Sequence, residues 1–526
     1  MTGPRLAKAL LIWLMLASAL PLTGCARRQG VARGGHERSA APRRVGAREI
    51  APRQPATPPV VAKLGALSAQ QLRRAAKSAN LVIVVMDAAR ADHVGCYGYP
   101  RQTTPNVDRL AAESVVFESY FTTYSQTKPS TAGLFTSLYP DTHLVASNGM
   151  VLGSNVPTLA GLLKAAGFET ILCTSNSVVS TKYGIGSGFD WALDSFPRLV
   201  EGTAAERNHL EPQQWQGNPQ TPEALVEEFD NWLGDGRKPR FFAYVHFLPP
   251  HVPYAAPQAL KDLFVGSPPN AREGDFPFPE VEPDDRQRAP PGGKDKWLNL
   301  YDANLRWADW GVGEIERLLR QRGLLDNTLF IVLADHGEAF FEHGYRFHSR
   351  AVYDELVHVP LIMRLPGKTQ LGGRVSALTQ TVDLFPTITD LFGLERPSDV
   401  QGTSLVPVLT GEAQEVREYV YATCGGTMPS YLVRSRDYAL ILYQGGVLRA
   451  LYDLRKDPEQ RVNVIEQEPK QAARLMSAFR TYAATQLRPP LEFVDRGVKP
   501  KAAAAEHRVR MSDEQRRQLR NLGYVE

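Results

Sequence analysis

The sequence predicts an open α/β fold, a mostly parallel sheet with helices on both faces, followed by a small antiparallel sheet that carries one helix. Three observations lead there. Apolar runs without polar alternation recur along most of the chain, as in strands buried on both faces of a parallel sheet. Helical patterns alternate with them. Beyond Gly411, short β-like runs follow one another with no helix between. At 526 residues the chain is too long for one small core, so a large domain with an appendage is expected. With 43% hydrophobic residues, 22% charged residues and a net charge of +4, the composition excludes a disordered chain and gives no footing for a nucleic-acid partner.

Residues 1–25 read as a targeting segment. Arg5 and Lys8 precede an apolar run from Ala9 to Leu20, too short for a comfortable membrane span, which ends in Leu22-Thr23-Gly24-Cys25. That ending resembles the signal of bacterial lipoproteins, which implies lipidation of Cys25 and a membrane anchor in the cell envelope. Ala26 after the cysteine implies, by the same resemblance, the outer membrane, facing the periplasm or the surface. Residues 26–66 read as a disordered tether. To about Ala56 they are Arg-, Ala-, Gly- and Pro-rich with few large apolar side chains, and cannot offset their ordering entropy. After lipidation only Cys96, Cys173 and Cys424 remain, with no paired spacing, so no disulfide framework is expected.

Residues 67–411 read as the catalytic domain. A short helix from Ser68 to Ser78 leads into the strand Leu81 to Met86, and similar runs stand at Thr170 to Cys173, Phe241 to His246, Leu329 to Ala334 and Pro360 to Met363. Helical patterns cover Pro105 to Glu113, Thr131 to Leu138, Val156 to Ala166, Pro222 to Leu233, Leu298 to Arg322 and Val382 to Phe392. Between them, Ser267 to Gly293 is dense in Pro, Asp, Glu and Gly and reads as a long loop beside the site. Residues 412–495 read as the antiparallel sheet and its helix, with strands at Glu418 to Thr423, Tyr431 to Arg434, Tyr438 to Tyr443 and Ala450 to Leu454 and a helix from Pro469 to Gln486. Residues 496–526 read as a tail.

In open α/β sheets ligands sit beyond the carboxyl ends of the strands. Asp87 follows the first strand, and Asp335-His336-Gly337-Glu338 follows a later one, so both acidic positions emerge at one sheet edge. Two carboxylates, an imidazole and a hydroxyl oxygen suit one divalent cation, Mn²⁺ or Zn²⁺ before Ca²⁺ because of the histidine. The hydroxyl comes from Thr127. The turn Thr127-Lys128-Pro129-Ser130 opens onto the apolar helix of Ala132, Leu134, Phe135 and Leu138, where unpaired N–H groups and the helix dipole favour an anion. Read locally, the same hydroxyls serve equally as helix N-caps.

These blocks, with Arg90-Ala91-Asp92-His93, Thr104-Pro105-Asn106, His246, Pro250-His251-Val252-Pro253-Tyr254, Tyr353-Asp354-Glu355 and the closing Leu519 to Tyr524, resemble the sulfatase family of the alkaline phosphatase superfamily. The resemblance implies that family's fold, with Asp87, Asp335 and His336 as ligands of one metal and Thr127 as the nucleophile that also touches it. It further implies His251, His348 and Arg90 as catalytic residues, and Lys128, Ser130 and His246 as substrate-binding ones. Two departures bear on the chemistry. Sulfatases carry Cys or Ser at the nucleophile, oxidised to formylglycine, within a motif ending in Arg; here the residues are Thr127 and Thr131, so no formylglycine is expected. Ala88 and Pro249 stand where further acidic residues often occur, so a second metal is unsupported.

A formylglycine hydrate releases sulfate by collapsing to the aldehyde, a route closed to an ordinary threonine ester. The expected activity is therefore hydrolysis or transfer of a phosphate or sulfate ester through Thr127, as in phosphoesterases of the superfamily. The anionic ester would be a glycan, a lipid headgroup or a small molecule. The alternatives are a true sulfuric ester hydrolase and a catalytically silent surface lipoprotein that binds anionic glycans or lipids.

Overall fold

The computed structural model describes residues 61–194, 221–234, 240–265, 293–367, 370–425 and 429–487. The signal segment with Cys25, the tether up to residue 60, the Pro- and acid-rich loop up to residue 292 and the 496–526 tail lie outside the described residues. No described helix is long and apolar enough to cross a membrane.

A nine-stranded sheet forms the frame. Its strands lie in the order Val61–Lys63, Gln370–Val375, Val115–Phe117, Leu361–Arg364, Thr328–Leu333, Asn80–Asp87, Phe241–Pro250, Glu169–Thr174 and Trp191–Leu193. All neighbours pair in parallel except Leu361–Arg364, which runs antiparallel to both of its own. The apolar runs read as strands are the middle of this sheet, and every side chain of Asn80–Asp87 is buried, as a strand covered on both faces requires. The short edge strands escaped the sequence reading because three residues carry no period. One of them corrects the expected tether: Val61–Lys63 already pairs with Gln370–Gly372, so ordered structure begins before residue 67.

Helices cover the sheet as expected, and their starts are chemically marked. Ser68 caps Ala69–Ala76 in a reciprocal capping box with Gln71, and Thr221 caps Pro222–Leu233 with proline in its first turn. The longest described helix, Gly293–Gln321, places Tyr301 beneath the end of the strand Asn80–Asp87, where its hydroxyl accepts from the Arg90 N–H at 2.9 Å and donates to the Ala88 carbonyl at 2.8 Å.

The second sheet is antiparallel in chain order, Val420–Cys424, Ser430–Arg434, Tyr438–Tyr443 and Leu448–Asp453, with the helix Pro469–Ala484 packed on it. Its other face is continuous with the large domain: Val420, Leu432 and Ile441 share a buried cluster with Phe121, Ala339, Tyr353 and Leu356. The two sheets therefore hold each other.

Candidate active site

The strand Asn80–Asp87 ends in a bend. Ala88 sits at φ +62°, a left-handed conformation costly for a residue with a Cβ, and its N–H donates to Asp335 Oδ1 at 3.1 Å. The bend thus joins the ends of two adjacent parallel strands. It brings Asp87, Asp335 and His336 together, with one ligand atom from each within 4.8 Å of the others.

Each of these side chains is oriented through one atom and leaves another facing the centre. Asp87 Oδ2 accepts from His246 Nε2 at 3.1 Å and from the Asn176 amide, while Oδ1 is buried without a hydrogen bond. Asp335 Oδ1 accepts the N–H groups of Ala88 and His336, and Oδ2 is left likewise. His336 donates from Nδ1 to the Gly337 carbonyl at 2.8 Å, which assigns the tautomer and turns the Nε2 lone pair toward Asp87 Oδ1 at 3.5 Å and Asp335 Oδ2 at 3.6 Å. Two orphaned carboxylate oxygens and one imidazole nitrogen, each fixed by an outer partner, could hold a divalent cation. Burial alone would raise the Asp87 pKa, but His251, His246 and His336 outweigh it and hold the carboxyl below its ordinary range. Burial disfavours the His336 cation, yet Asp335 and Asp87 raise its pKa.

Thr127 is the first residue of the helix Thr127–Thr136, fully buried, with its Oγ1 3.1 Å from His336 Nε2. It is not an N-cap: that position is Gln126, which makes no capping bond. Of the other expected residues, His251 and His348 join the cluster. Their rings lie 5.0 Å apart, and His348 stands 4.3 Å from His336. His251 Nδ1 donates to the Val252 carbonyl at 2.6 Å, and His348 Nδ1 faces Glu338 Oε1 at 3.2 Å. Burial depresses the His251 pKa and, with the neighbouring His336, brings that of His348 to about 3, while burial pushes Glu338 up to about 7. His348 is bracketed by Phe347 at φ +80° and Ser349 at φ +77°, a concentration of backbone strain typical of functional sites.

Four expectations need correction. Arg90 is neutralised: its Nε and Nη2 grip Asp92 side-on at 2.9 and 2.7 Å, and Nη1 reaches Glu342 and the Glu338 carbonyl. It ties together the loops that follow the strands Asn80–Asp87 and Thr328–Leu333, with its side-on edge already taken by Asp92. The Lys128 ammonium is held by the carbonyls of Asn148 and Met150 above the Tyr183 ring, and burial pulls its pKa well down. The Ser130 hydroxyl is 2.6 Å from both the Asp335 carbonyl and Thr122 Oγ1, a strut between helix and strand end. His246 orients Asp87. Among the described residues each of the four spends its main polar contacts on the protein itself. Asn176 was missed, although it follows the strand Glu169–Thr174 at the same sheet edge, where position alone could have flagged it.

Residues 79–394 match the sulfatase family, and residues 341–482 match the C-terminal region of N-sulphoglucosamine sulphohydrolase. An N-acetylglucosamine-6-O-sulfatase of Bacteroides thetaiotaomicron is 24% identical over 491 residues, covering 77% of this chain and 86% of that protein. Among solved structures, one in complex with its substrate D-glucosamine-2-N,6-O-disulfate superposes with a TM-score of 0.66 at 20% identity, covering 79% of this chain and 99% of the other. The phosphonate monoester hydrolase of Agrobacterium radiobacter superposes with a TM-score of 0.64 at 21% identity, covering 82% and 100%.

Proposed function

The chain belongs to the sulfatase family, and from that premise we propose that it cleaves or transfers anionic esters through Thr127 with one divalent metal ion. The observation that carries the reading is the Thr127 hydroxyl standing 3.1 Å from His336 Nε2 at the face where Asp87 and Asp335 leave their orphaned oxygens. A cation held by Asp87, Asp335 and His336 would supply Lewis-acid chemistry, lowering the hydroxyl pKa and neutralising developing charge.

The residues of the chain do the rest. Thr127 Oγ attacks phosphorus or sulfur, and a bond to Oγ forms as the ester bond to the leaving alkoxide breaks. The hydroxyl proton passes to a neighbouring imidazole, which returns it to the leaving oxygen. His251, with Nδ1–H committed to the Val252 carbonyl, keeps Nε2 as its accepting nitrogen, and its depressed pKa keeps it neutral near pH 7. In the second step water or an alcohol attacks the Thr127 ester, gives up its proton, and the threonine hydroxyl is restored. No formylglycine is involved, and the intermediate is an ordinary O-ester of Thr127. The substrate class follows the relatives: a sulfate or phosphorus ester on an amino sugar or related anionic glycan. Anchoring through Cys25 would hold this activity in the bacterial envelope, facing glycans outside the cytoplasm.

Turnover of aryl phosphates, phosphonates, phosphodiesters, aryl sulfates and N-acetylglucosamine 6-sulfate by purified protein tests the reading. Thr127→Ala should lose at least about 10³-fold in turnover, and Thr127→Ser should keep a measurable part. Turnover that survives Thr127→Ala unchanged defeats it.

A further inference from the structure

Immediately after Glu338 the chain makes a two-residue antiparallel hairpin, Ala339–Phe340 against Arg346–Phe347, in which Arg346 pairs with Phe340. Arg346 is only 5% exposed. Its guanidinium lies over the Trp297 ring at 3.5 Å and the Phe347 ring at 4.3 Å, with Tyr254 at 5.9 Å. Aromatic rings thus occupy the faces of the cation. Along its edge, Nε and Nη2 are buried, and among the described residues neither makes a hydrogen bond of ordinary geometry, the Tyr254 hydroxyl being the polar group that Arg346 acts on.

Those two nitrogens form the side-on fork, whose parallel N–H bonds match the two oxygens of a carboxylate, sulfate or phosphate. Arg90 shows the same edge in use, gripping Asp92 through Nε and Nη2. A buried cation with its fork unfilled is expensive, and proteins keep such groups where something else fills them. The neighbourhood is the active site: Arg346 stands two residues before His348 in the hairpin that begins directly after Glu338, whose Oε1 faces His348, and the Arg346 charge favours the Glu338 carboxylate.

We propose that Arg346 is a specificity-determining residue that grips a second oxyanion of the substrate, a sulfate or carboxylate carried beside the reacting ester, so that the enzyme prefers doubly anionic sugars to singly anionic ones. The inference rests on the proposed glycan-ester activity and deepens it.

The test is equilibrium binding to full-length, metal-loaded protein in a Thr127→Ala background, which prevents turnover. The ligands are N-acetylglucosamine 6-sulfate with one anion, D-glucosamine-2-N,6-O-disulfate with two sulfates, and a hexuronate 2-O-sulfate with a sulfate and a carboxylate. With Arg346 intact, at least one doubly anionic sugar should bind about tenfold or more tighter than the monosulfate, and which one does so identifies the second group. Arg346→Gln should bring the ratio to within about twofold, and Arg346→Lys should keep part of it, since a point charge replaces the fork. Equal thermal unfolding and metal content in the three proteins rule out a merely structural loss. A preference that survives Arg346→Gln, or no preference in the parent, overturns the proposal. Turnover of the sugars in the Thr127→Ala background would instead defeat the nucleophile assignment and leave the Arg346 ratio to be read from initial rates.

Discussion

At the scale of single residues, the site works by division of labour within each side chain. Asp335 spends Oδ1 on two backbone N–H groups and leaves Oδ2 without a hydrogen bond among the described residues, where a cation could take it. Asp335→Asn can retain the first role and lose the second, so metal content measured by elemental analysis should fall sharply while the circular dichroism spectrum stays native. Full occupancy in that variant would remove Asp335 from the ligand set. Ser130 makes the opposite point, as a residue whose place suggests substrate and whose contacts are structural. Ser130→Ala leaves the buried Asp335 carbonyl without its hydroxyl donor, and chemical denaturation should show a loss of about 1–3 kcal/mol.

At the scale of elements, the candidate catalytic groups sit where strands end and backbones come very close. A Cβ on Gly337 would lie 2.0 Å from the Glu355 carbonyl oxygen, so glycine is required directly after His336. Gly337→Ala must displace one of the two loops, and both thermal stability and metal affinity should drop together. A destabilised protein that still binds metal as tightly would uncouple the loop from the site. The long elements and the meeting of Asp87, Asp335 and His336 were legible in the sequence because burial on both faces makes a strand a continuous apolar run, and Asp87 and Asp335 follow two such runs. The roles of Arg90, Lys128 and Ser130 were not, because a charge or hydroxyl near a catalytic block reads the same whether it faces substrate or a neighbouring carbonyl. Only the fold brings Glu342 to Arg90, and Asn148 and Met150 to Lys128. Arg346 was hidden for the same reason, since its meaning depends on Trp297, a residue far away in sequence.

At the scale of the whole molecule, buried histidines set the acid limit of stability. Burial lowers the pKa of His143 from 6.5 to about 3 and depresses those of His251 and His348. For His143 and His348 the unfolded chain binds protons between about 6.5 and 3 that the native one does not, so stability falls as pH drops through that window, by up to about 1.4 kcal/mol per pH unit for each of the two, and His251 acts in the same direction. His143→Gln should flatten that slope in denaturant titrations at a series of pH values, and an unchanged slope would show that His143 does not contribute. The small sheet belongs to the same folding unit, because its buried face is completed by Phe121, Tyr353 and Leu356. A chain ended after Gly411 should therefore be recovered insoluble, and a soluble, metal-binding truncation would show the large domain to be independent. What joins these scales is Thr127, placed by a helix start, oriented toward His336 and enclosed by both strand ends. Intact-mass spectrometry of protein acid-quenched during turnover tests its role most directly. The wild type should gain the mass of one phosphoryl or sulfuryl group, localised to Thr127 by peptide mapping and missing from Thr127→Ala. A turning-over protein that never carries that group, or carries it elsewhere, would contradict the account.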